Sequence, residues 1–169
     1  MLKPDSVRAF LTAAIPALKA EPDRLQIYID KGSIRATGVP GASGVMGFEY
    51  RYTCTLMLLD FAVHPDAVMT PLVAWVAVNE PELLQNYDKN REGLAFEADI
   101  LDARKIDLQI SLPLTERVIA TPVDGGFNMV HAAEPAQAGV ESWPAGPASP
   151  PVIHSIYADG ELIAEIPAP

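Results

Sequence analysis

Apolar residues at the start of the chain recur at helical spacing. The positions that share one face of this predicted helix are Val7, Phe10, Leu11, Ala14, Ile15 and Leu18. Asp5 or Ser6 is predicted to cap the helix, and Pro16 to kink or split its last turn. A second helix is predicted over residues 64–79. Its apolar stripe consists of Val68, Leu72, Trp75 and Val76.

Between and after these helices, apolar and polar residues alternate with the period of two that indicates strands. The predicted strands cover residues 25–29, 33–37, 48–61, 94–100, 106–112, 118–123 and 127–131. Lys31-Gly32 and Asp124-Gly125-Gly126 are predicted hairpin turns. Segment 48–61 would span roughly 46 Å, so it is expected to bend, bulge or project beyond the core. The pattern predicts an α+β fold in which two main helices pack on a largely antiparallel sheet of about six or seven strands.

The C-terminal part of the chain has a different pattern, and three segments are predicted. Residues 1–134 form the domain, residues 135–151 a tether rich in Pro, Ala and Gly, and residues 152–169 a small hairpin that turns at Asp159-Gly160. An isolated hairpin is only marginally stable in water, so this one is expected to dock on another surface. The predicted docking residues of the arm are Trp143, Ile153, Ile156, Tyr157, Leu162, Ile163 and Ile166.

Charge narrows the possible functions. The 169 residues carry a net charge of −10; residues 1–117 hold 12 Lys/Arg against 16 Asp/Glu, and residues 118–169 hold six acids and no Lys or Arg. Nucleic-acid binding requires clustered cations, so sequence recognition of nucleic acid is not expected. No apolar run reaches the roughly 18 residues of a membrane helix, so no membrane span is expected. The one cysteine cannot form an internal disulfide.

Candidates for catalysis are few. The acidic group Glu97, Asp99, Asp102 and Asp107 is the best candidate for a metal or catalytic site, although a solvated strand face explains it better. Cys54 lies on an apolar strand face and is expected in the core rather than as a nucleophile. His64 is expected on the surface, and the glycine-rich residues 38–47 are expected to form a hairpin tip rather than a phosphate loop. No catalytic residue, cofactor or metal is therefore predicted.

Three stretches of the sequence together resemble one known family. They are DRLQIYIDKGSIRATG, FEYRYTCTLMLLDFAVHPDAVMTPLVAWVAVNEPELL and LAFEADILDARKIDLQISLPLTERVIA, and with the flanking helix and the VDGGFNMVH hairpin they cover about residues 1–133. They resemble the phage tail completion protein R family of contractile-tailed phages and prophages. Residues 135–169, and in part 38–47, depart from that pattern, so the resemblance assigns no role to the arm.

The resemblance implies a structural role in the virion, at the head-proximal end of the phage tail. The expected protein is a homo-oligomer, a hexameric ring, that caps tube and sheath, stops polymerisation and forms the interface to the head-tail connector proteins at the neck. Assembly would take place in the host cytoplasm. One alternative is a non-structural tail-assembly adaptor or chaperone that does not remain in the particle. A second is a small metal-dependent enzyme that uses the acidic group.

Overall fold

The computed structural model describes residues 1–36, 43–86, 93–101, 105–135 and 155–165. The helices are α1 (Lys3–Ala14), α2 (Pro16–Ala20), α3 (Asp66–Asn79) and α4 (Glu82–Gln85), with a short 3-10 turn at Pro22–Arg24. The strands are β1 (Leu25–Ala36), β2 (Met46–Phe61), β3 (Ala95–Ile100), β4 (Ile106–Val123), β5 (Gly126–His131), β6 (Ser155–Ala158) and β7 (Glu161–Glu165). The predicted α+β class is confirmed, and so are the split of the first helix at Pro16 and the C-terminal hairpin.

The main sheet is antiparallel and has five strands in the order β1-β2-β4-β3, with β5 also paired to β4. β3 pairs with residues 106–111 of β4, and β5 pairs with residues 118–123. Both strands therefore lie along the same edge of β4, and β1 forms the opposite edge of the sheet. β6 and β7 form a separate two-stranded sheet.

The core lies between one face of this sheet and the helices. Alternate residues of β2 and β4 point inwards, and the inward side chains from Cys54 to Leu58 and from Leu108 to Leu114 are buried. α1 and α3 contribute their predicted stripes, and Trp75 of α3 is among the largest fully buried side chains. Its indole Nε1–H donates to Ser6 Oγ at 3.1 Å, which links the two helices.

The predicted number of strands in the main sheet was too high, because two pairs of predicted strands are single strands. Lys31-Gly32 is not a turn: β1 stays paired with β2 from Leu25 to Ala36, with an irregularity between Ile29 and Lys31. The favoured hairpin turns need a residue with positive φ, and Gly32 does not adopt one. The long β2 provides a continuous partner, so the chain extends instead of reversing.

β4 is the second merged strand, and it runs straight through Pro113. Residues 112–117 of β4 lie between the stretches that pair with β3 and β5. Thr115 N–H points to that gap, where it donates to Glu80 at 3.0 Å. Since alternate residues of a strand point their N–H groups the same way, Pro113 faces the gap too. Its missing N–H therefore costs no ladder bond.

Burial in this core makes a direct prediction for stability. Leu56→Ala should lower the free energy of unfolding by about 2–5 kcal/mol, because it removes a fully buried side chain and leaves a cavity. Ile100→Ala is the matched control: Ile100 is 80% exposed in the single chain, so the change should be within about 0.5 kcal/mol. Urea denaturation of both variants measures the difference. Equal losses would contradict this placement of the core.

Candidate interaction surfaces

The apolar face of the sheet is longer than the helical layer that covers it. With 16 residues, β2 spans about 53 Å. With 12 and 14 residues, α1 and α3 span about 18 and 21 Å. Apolar side chains beyond the helices stay exposed, as at Ile34 (66%) and Phe96 (62%). Their ladder partners on β2 and β4 pack towards the core, so both residues extend the core face.

β5 adds further uncovered apolar surface next to the end of β4. Phe127, Met129 and Val130 are each about half exposed. Phe127 and Met129 share the face of the helices, and Val130 lies on the opposite one. Surfaces of this kind are commonly sites of association when they are contiguous. The sequence predicted the alternation of these strands correctly, but not that their apolar side chains are exposed in the part of the chain that the structure describes.

The arm residues predicted to dock are partly within the described ranges. Tyr157 and Leu162 lie opposite each other and are exposed, and Ile156 is half-buried. Ile163 has no partner in the ladder, because the register shifts there, and it too is exposed. Trp143, Ile153 and Ile166 lie outside the described residues. The hairpin thus presents apolar side chains to solvent, and their role in docking stays a prediction.

A buried carboxylate holds the start of α1 on the sheet. Glu116 Oε2 accepts the N–H of Leu2 at 2.8 Å, and Oε1 accepts the N–H of Lys3 at 3.3 Å. The first N–H groups of a helix have no partner inside the helix, and a negative charge there also interacts favourably with the helix dipole. The predicted cap by Asp5 or Ser6 was therefore wrong: a residue 113 positions away from Lys3 supplies it.

Glu116 has two further side-chain partners. It accepts the Tyr52 hydroxyl and lies 2.9 Å from His131 Nδ1. Burial alone would raise the pKa of Glu116, but the hydrogen bonds from Tyr52, Leu2 and Lys3 outweigh it and hold the pKa below its usual value. Burial, and then the bond to Glu116, raises the pKa of Tyr52 above its usual value. Tyr52 therefore stays a donor and Glu116 an acceptor at neutral pH.

The ammonium group of Lys3 connects the same region to α3. Lys3 Nζ lies 2.6 Å from Glu80 Oε2 and 2.7 Å from Glu134 Oε1. Glu80, just after α3, also accepts the Thr115 hydroxyl at 2.7 Å. We call the residues of this network the N-terminal clamp. Its members are Lys3, Tyr52, Glu80, Thr115, Glu116, His131 and Glu134. The clamp fixes two helices and residue 134 to the central strands.

Beside the clamp, an open groove of about 530 Å³ lies where the helical cover of the sheet ends. Its floor includes Gly32, Tyr52 and Leu114, and Leu83 of α4 forms one wall. Lys31 and Arg51 lie at the same groove. None of the described lining residues is a histidine or a cysteine, so the groove offers a shape rather than a nucleophile and its base.

The other candidates for chemistry lie apart from the groove. Cys54 is buried in the core, and burial raises the pKa of its thiol to about 11, which suits an unreactive cysteine. His64 lies at the start of α3 as predicted, where its Nδ1 accepts the N–H of Asp66 at 3.2 Å. Asp107 accepts the N–H of Asp60, a residue with positive φ, at 2.8 Å. It stabilises the irregular end of β2.

The acidic group does not form a metal site in the part of the chain that the structure describes. Glu97 and Asp99 are exposed on β3, on the face opposite to the helices, and Asp102 lies outside the described residues. The clamp, in contrast, was not predicted from the sequence. Its signal was present, since Glu116 occupies an inward position between Leu114 and Val118, where an apolar residue is expected.

Within the described ranges, no helix is long and apolar enough to cross a membrane. Comparison with known families then identifies the class of the protein: the sequence model that matches residues 1–135 describes phage tail completion proteins. Specifically, the chain belongs to the P2 phage tail completion protein R (GpR) family.

A curated relative supports the same family. The chain is 36% identical over 165 residues to tail completion protein R of Escherichia phage P2, an alignment that covers 98% of each protein. An alignment of this extent takes in most of residues 136–169. The arm therefore has a counterpart in this relative, whereas the family model itself ends at residue 135, in line with the expected departure of the arm from the family pattern. No solved structure matches the chain.

The clamp predicts a specific dependence of stability on pH. Because the pKa of Glu116 is lowered in the folded protein, its carboxylate stabilises the fold above the unfolded pKa of about 4.3, and that stability is lost as the pH falls through the folded value. Glu116→Gln should lower the free energy of unfolding by about 1–3 kcal/mol at pH 7. It should also reduce the loss of stability between neutral and acidic pH, which we call the acid limb.

Urea denaturation from pH 7 to pH 3 measures both effects. Glu161→Gln is the matched control, because Glu161 is an exposed glutamate on the separate hairpin. It should leave both the stability at pH 7 and the acid limb close to those of the unmodified protein. An acid limb that is unchanged in Glu116→Gln would contradict the role given to this carboxylate.

Proposed function

We propose that this protein is a structural subunit that caps the head-proximal end of a contractile phage tail. In this role it stops the addition of tube and sheath subunits and provides the surface to which the head-tail connector binds. Membership of the tail completion family carries the role. The two open edges and the uncovered apolar face of the sheet support the mechanism, since such surfaces suit lateral association.

The mechanism we propose is steric and geometric. Copies associate side by side in one closed ring, which we take to be hexameric, because head-to-tail contacts that close produce rings. One face of the ring matches the last layer of the tube or sheath and blocks further addition. The other face presents a different surface to the connector. No bond is made or broken, so no catalytic residue, metal or cofactor takes part.

Charge restricts the partners of such a ring. Six copies of a chain with net charge −10 carry −60. Bringing so many like charges together is unfavourable unless the acids are spaced apart or face complementary basic patches. We therefore propose that the tube, sheath or connector surfaces that contact the ring are basic. The same charge disfavours binding to DNA that passes through the ring.

The C-terminal arm is proposed to strengthen the assembly. Residues 135–151 are the proposed tether between the domain and the hairpin, and 17 residues in extended form would reach roughly 50 Å. This length allows the hairpin to bind a neighbouring subunit or the sheath rather than its own domain. The exposed Tyr157 and Leu162 would provide apolar contacts there.

The role at the tail end is tested with a phage that lacks the protein. Its tails should have irregular length or fail to join heads, because nothing stops polymerisation or presents the joining surface. Adding the purified protein should restore joining, and gold-labelled protein should lie at the head-proximal end. Finished tails that contain none of the protein by mass analysis would contradict the proposal and favour an adaptor or chaperone.

The role of the arm is tested by deleting residues 136–169. The shortened protein should keep the thermal unfolding of the domain, because the core and the clamp lie in residues 1–134. Its incorporation into tails should fall, since the apolar contacts of the hairpin are lost. Tyr157→Ala and Leu162→Ala together should reproduce the defect in the full chain. Normal incorporation of both variants would contradict the arm's role.

A further inference from the structure

We infer that β3 of one copy pairs with β1 of the next copy and seats Phe96 in the groove over Gly32. This inference rests on the proposed ring and names the contact that would build it. The partner is a second copy of the same chain. The direction of the edge strands, the residues that meet and the stagger between the copies support this contact.

The direction of the strands permits this pairing. Each strand in the path β1-β2-β4-β3 is antiparallel to its neighbour, so β1 and β3, at the two edges, run in opposite directions. A second copy in the same orientation thus places its β1 antiparallel to β3 of the first. The helices of both copies stay on the same side of the joined sheet. Repeating the step gives a head-to-tail contact, which closes into a ring.

The side chains of the two edges match in one register. With Lys31 opposite Glu97, opposite charges meet on the face away from the helices. Gly32 then lies opposite Phe96 on the core face, and Ile34 lies opposite Leu94 on the same face. Ile34 and Phe96 are both exposed apolar residues of the core face in the single chain. All three pairs are therefore favourable.

The groove provides the space that Phe96 needs. Gly32 has no side chain, and Tyr52 lies so close that a Cβ at this position would be 3.2 Å from Tyr52 Cβ, so a larger residue here would be crowded. The space proposed for the aromatic ring of the neighbour is the groove beside Gly32, which Tyr52 and Leu83 also line. An aromatic residue across from a glycine on a neighbouring strand is a favourable cross-strand arrangement. Aromatic residues buried in a pocket of the partner also commonly contribute much of the binding energy of an interface.

The stagger of this register is compatible with a closed sheet. Within one copy, Lys31 of β1 pairs with Thr53 of β2, which in turn pairs with Pro113 of β4. Glu97 of β3 pairs with Gln109 of β4, four residues before Pro113. Pairing Lys31 with Glu97 therefore shifts the next copy by four residues across the four strands from β1 to β3. The shift is therefore one residue for each strand. An eight-stranded barrel has the same ratio of residue shift to strand number, and its strands tilt by about 36° from the barrel axis.

Cysteine cross-linking tests the register in the full chain. In antiparallel sheets, opposite residues have Cα atoms about 4.5–5.5 Å apart, which suits a disulfide. Lys31→Cys combined with Glu97→Cys should form a ladder of covalent multimers on oxidation, both in the purified protein and on tails. Each single variant, and Lys31→Cys combined with Asp124→Cys, should not. Absence of the ladder in both preparations would overturn the inference.

Phe96→Ala tests the anchor, with Phe127→Ala as the matched control, since both rings are exposed in the single chain. Thermal unfolding of the monomer should be unchanged in both. The concentration needed for self-association should rise about tenfold or more in Phe96→Ala, because an aromatic anchor is lost, and incorporation into tails should fall with it. In Phe127→Ala, self-association should be unchanged. Equal effects of the two variants on self-association would contradict the role of Phe96.

The outcomes separate this inference from the proposed function. Rings at the head-proximal end that form without the cross-link, and without sensitivity to Phe96→Ala, would overturn only the β1–β3 contact. A cross-link that is lost when residues 136–169 are deleted would show that the arm, rather than a direct edge contact, holds the copies together. A protein that neither self-associates nor occupies the tail end would overturn the proposed function itself.

Discussion

The ladder between β2 and β4 is the constraint on which the rest of the structure depends. It runs from the pair Met46–Ala120 to the pair Phe61–Ile106 and forms the middle of the sheet. Strands of this length extend far beyond helices of 12 and 14 residues. The chain therefore has one well-covered core and an apolar face that continues past it. The exposed surfaces follow from this mismatch in length.

The N-terminal clamp determines where the helical cover ends. Glu116 and Glu80 hold α1 and α3 at the middle of β4, next to the stretch that has neither β3 nor β5 beside it. A buried ion pair is not by itself a strong source of stability, but it does select one arrangement when all its groups are satisfied. Within the described ranges, no buried side-chain nitrogen or oxygen lacks a partner. The clamp thereby fixes α1 and the end of α3 beside the groove.

Much of the fold could be predicted from local patterns, because these depend on neighbouring residues. The stripe on α1, the split at Pro16, the Gly125 turn and the alternation of β2 were all readable in the sequence. The merging of strands across Gly32 and Pro113 was not, because it depends on the length of the partner strand and on a gap at the sheet edge.

The surfaces were harder to predict than the elements. Periodicity shows that Phe96 and Ile34 belong to an apolar face, but it cannot show whether helices of the same chain cover that face. The cap of α1 was missed for a related reason, since Glu116 reaches it from a strand that only the tertiary fold brings close. The resemblance of three stretches to a tail completion family was informative where physical patterns were not, and family membership is confirmed.

The central claim is that copies of this chain form a closed ring at the head-proximal end of the tail through their sheet edges. A cryo-EM reconstruction of that end, at a resolution that separates strands, tests it most directly. The account predicts one closed ring in which β3 of each copy continues into β1 of the next, with Phe96 over Gly32. A tail end without this protein, or a ring whose copies meet through α1 and α3 while both sheet edges stay open, would contradict it.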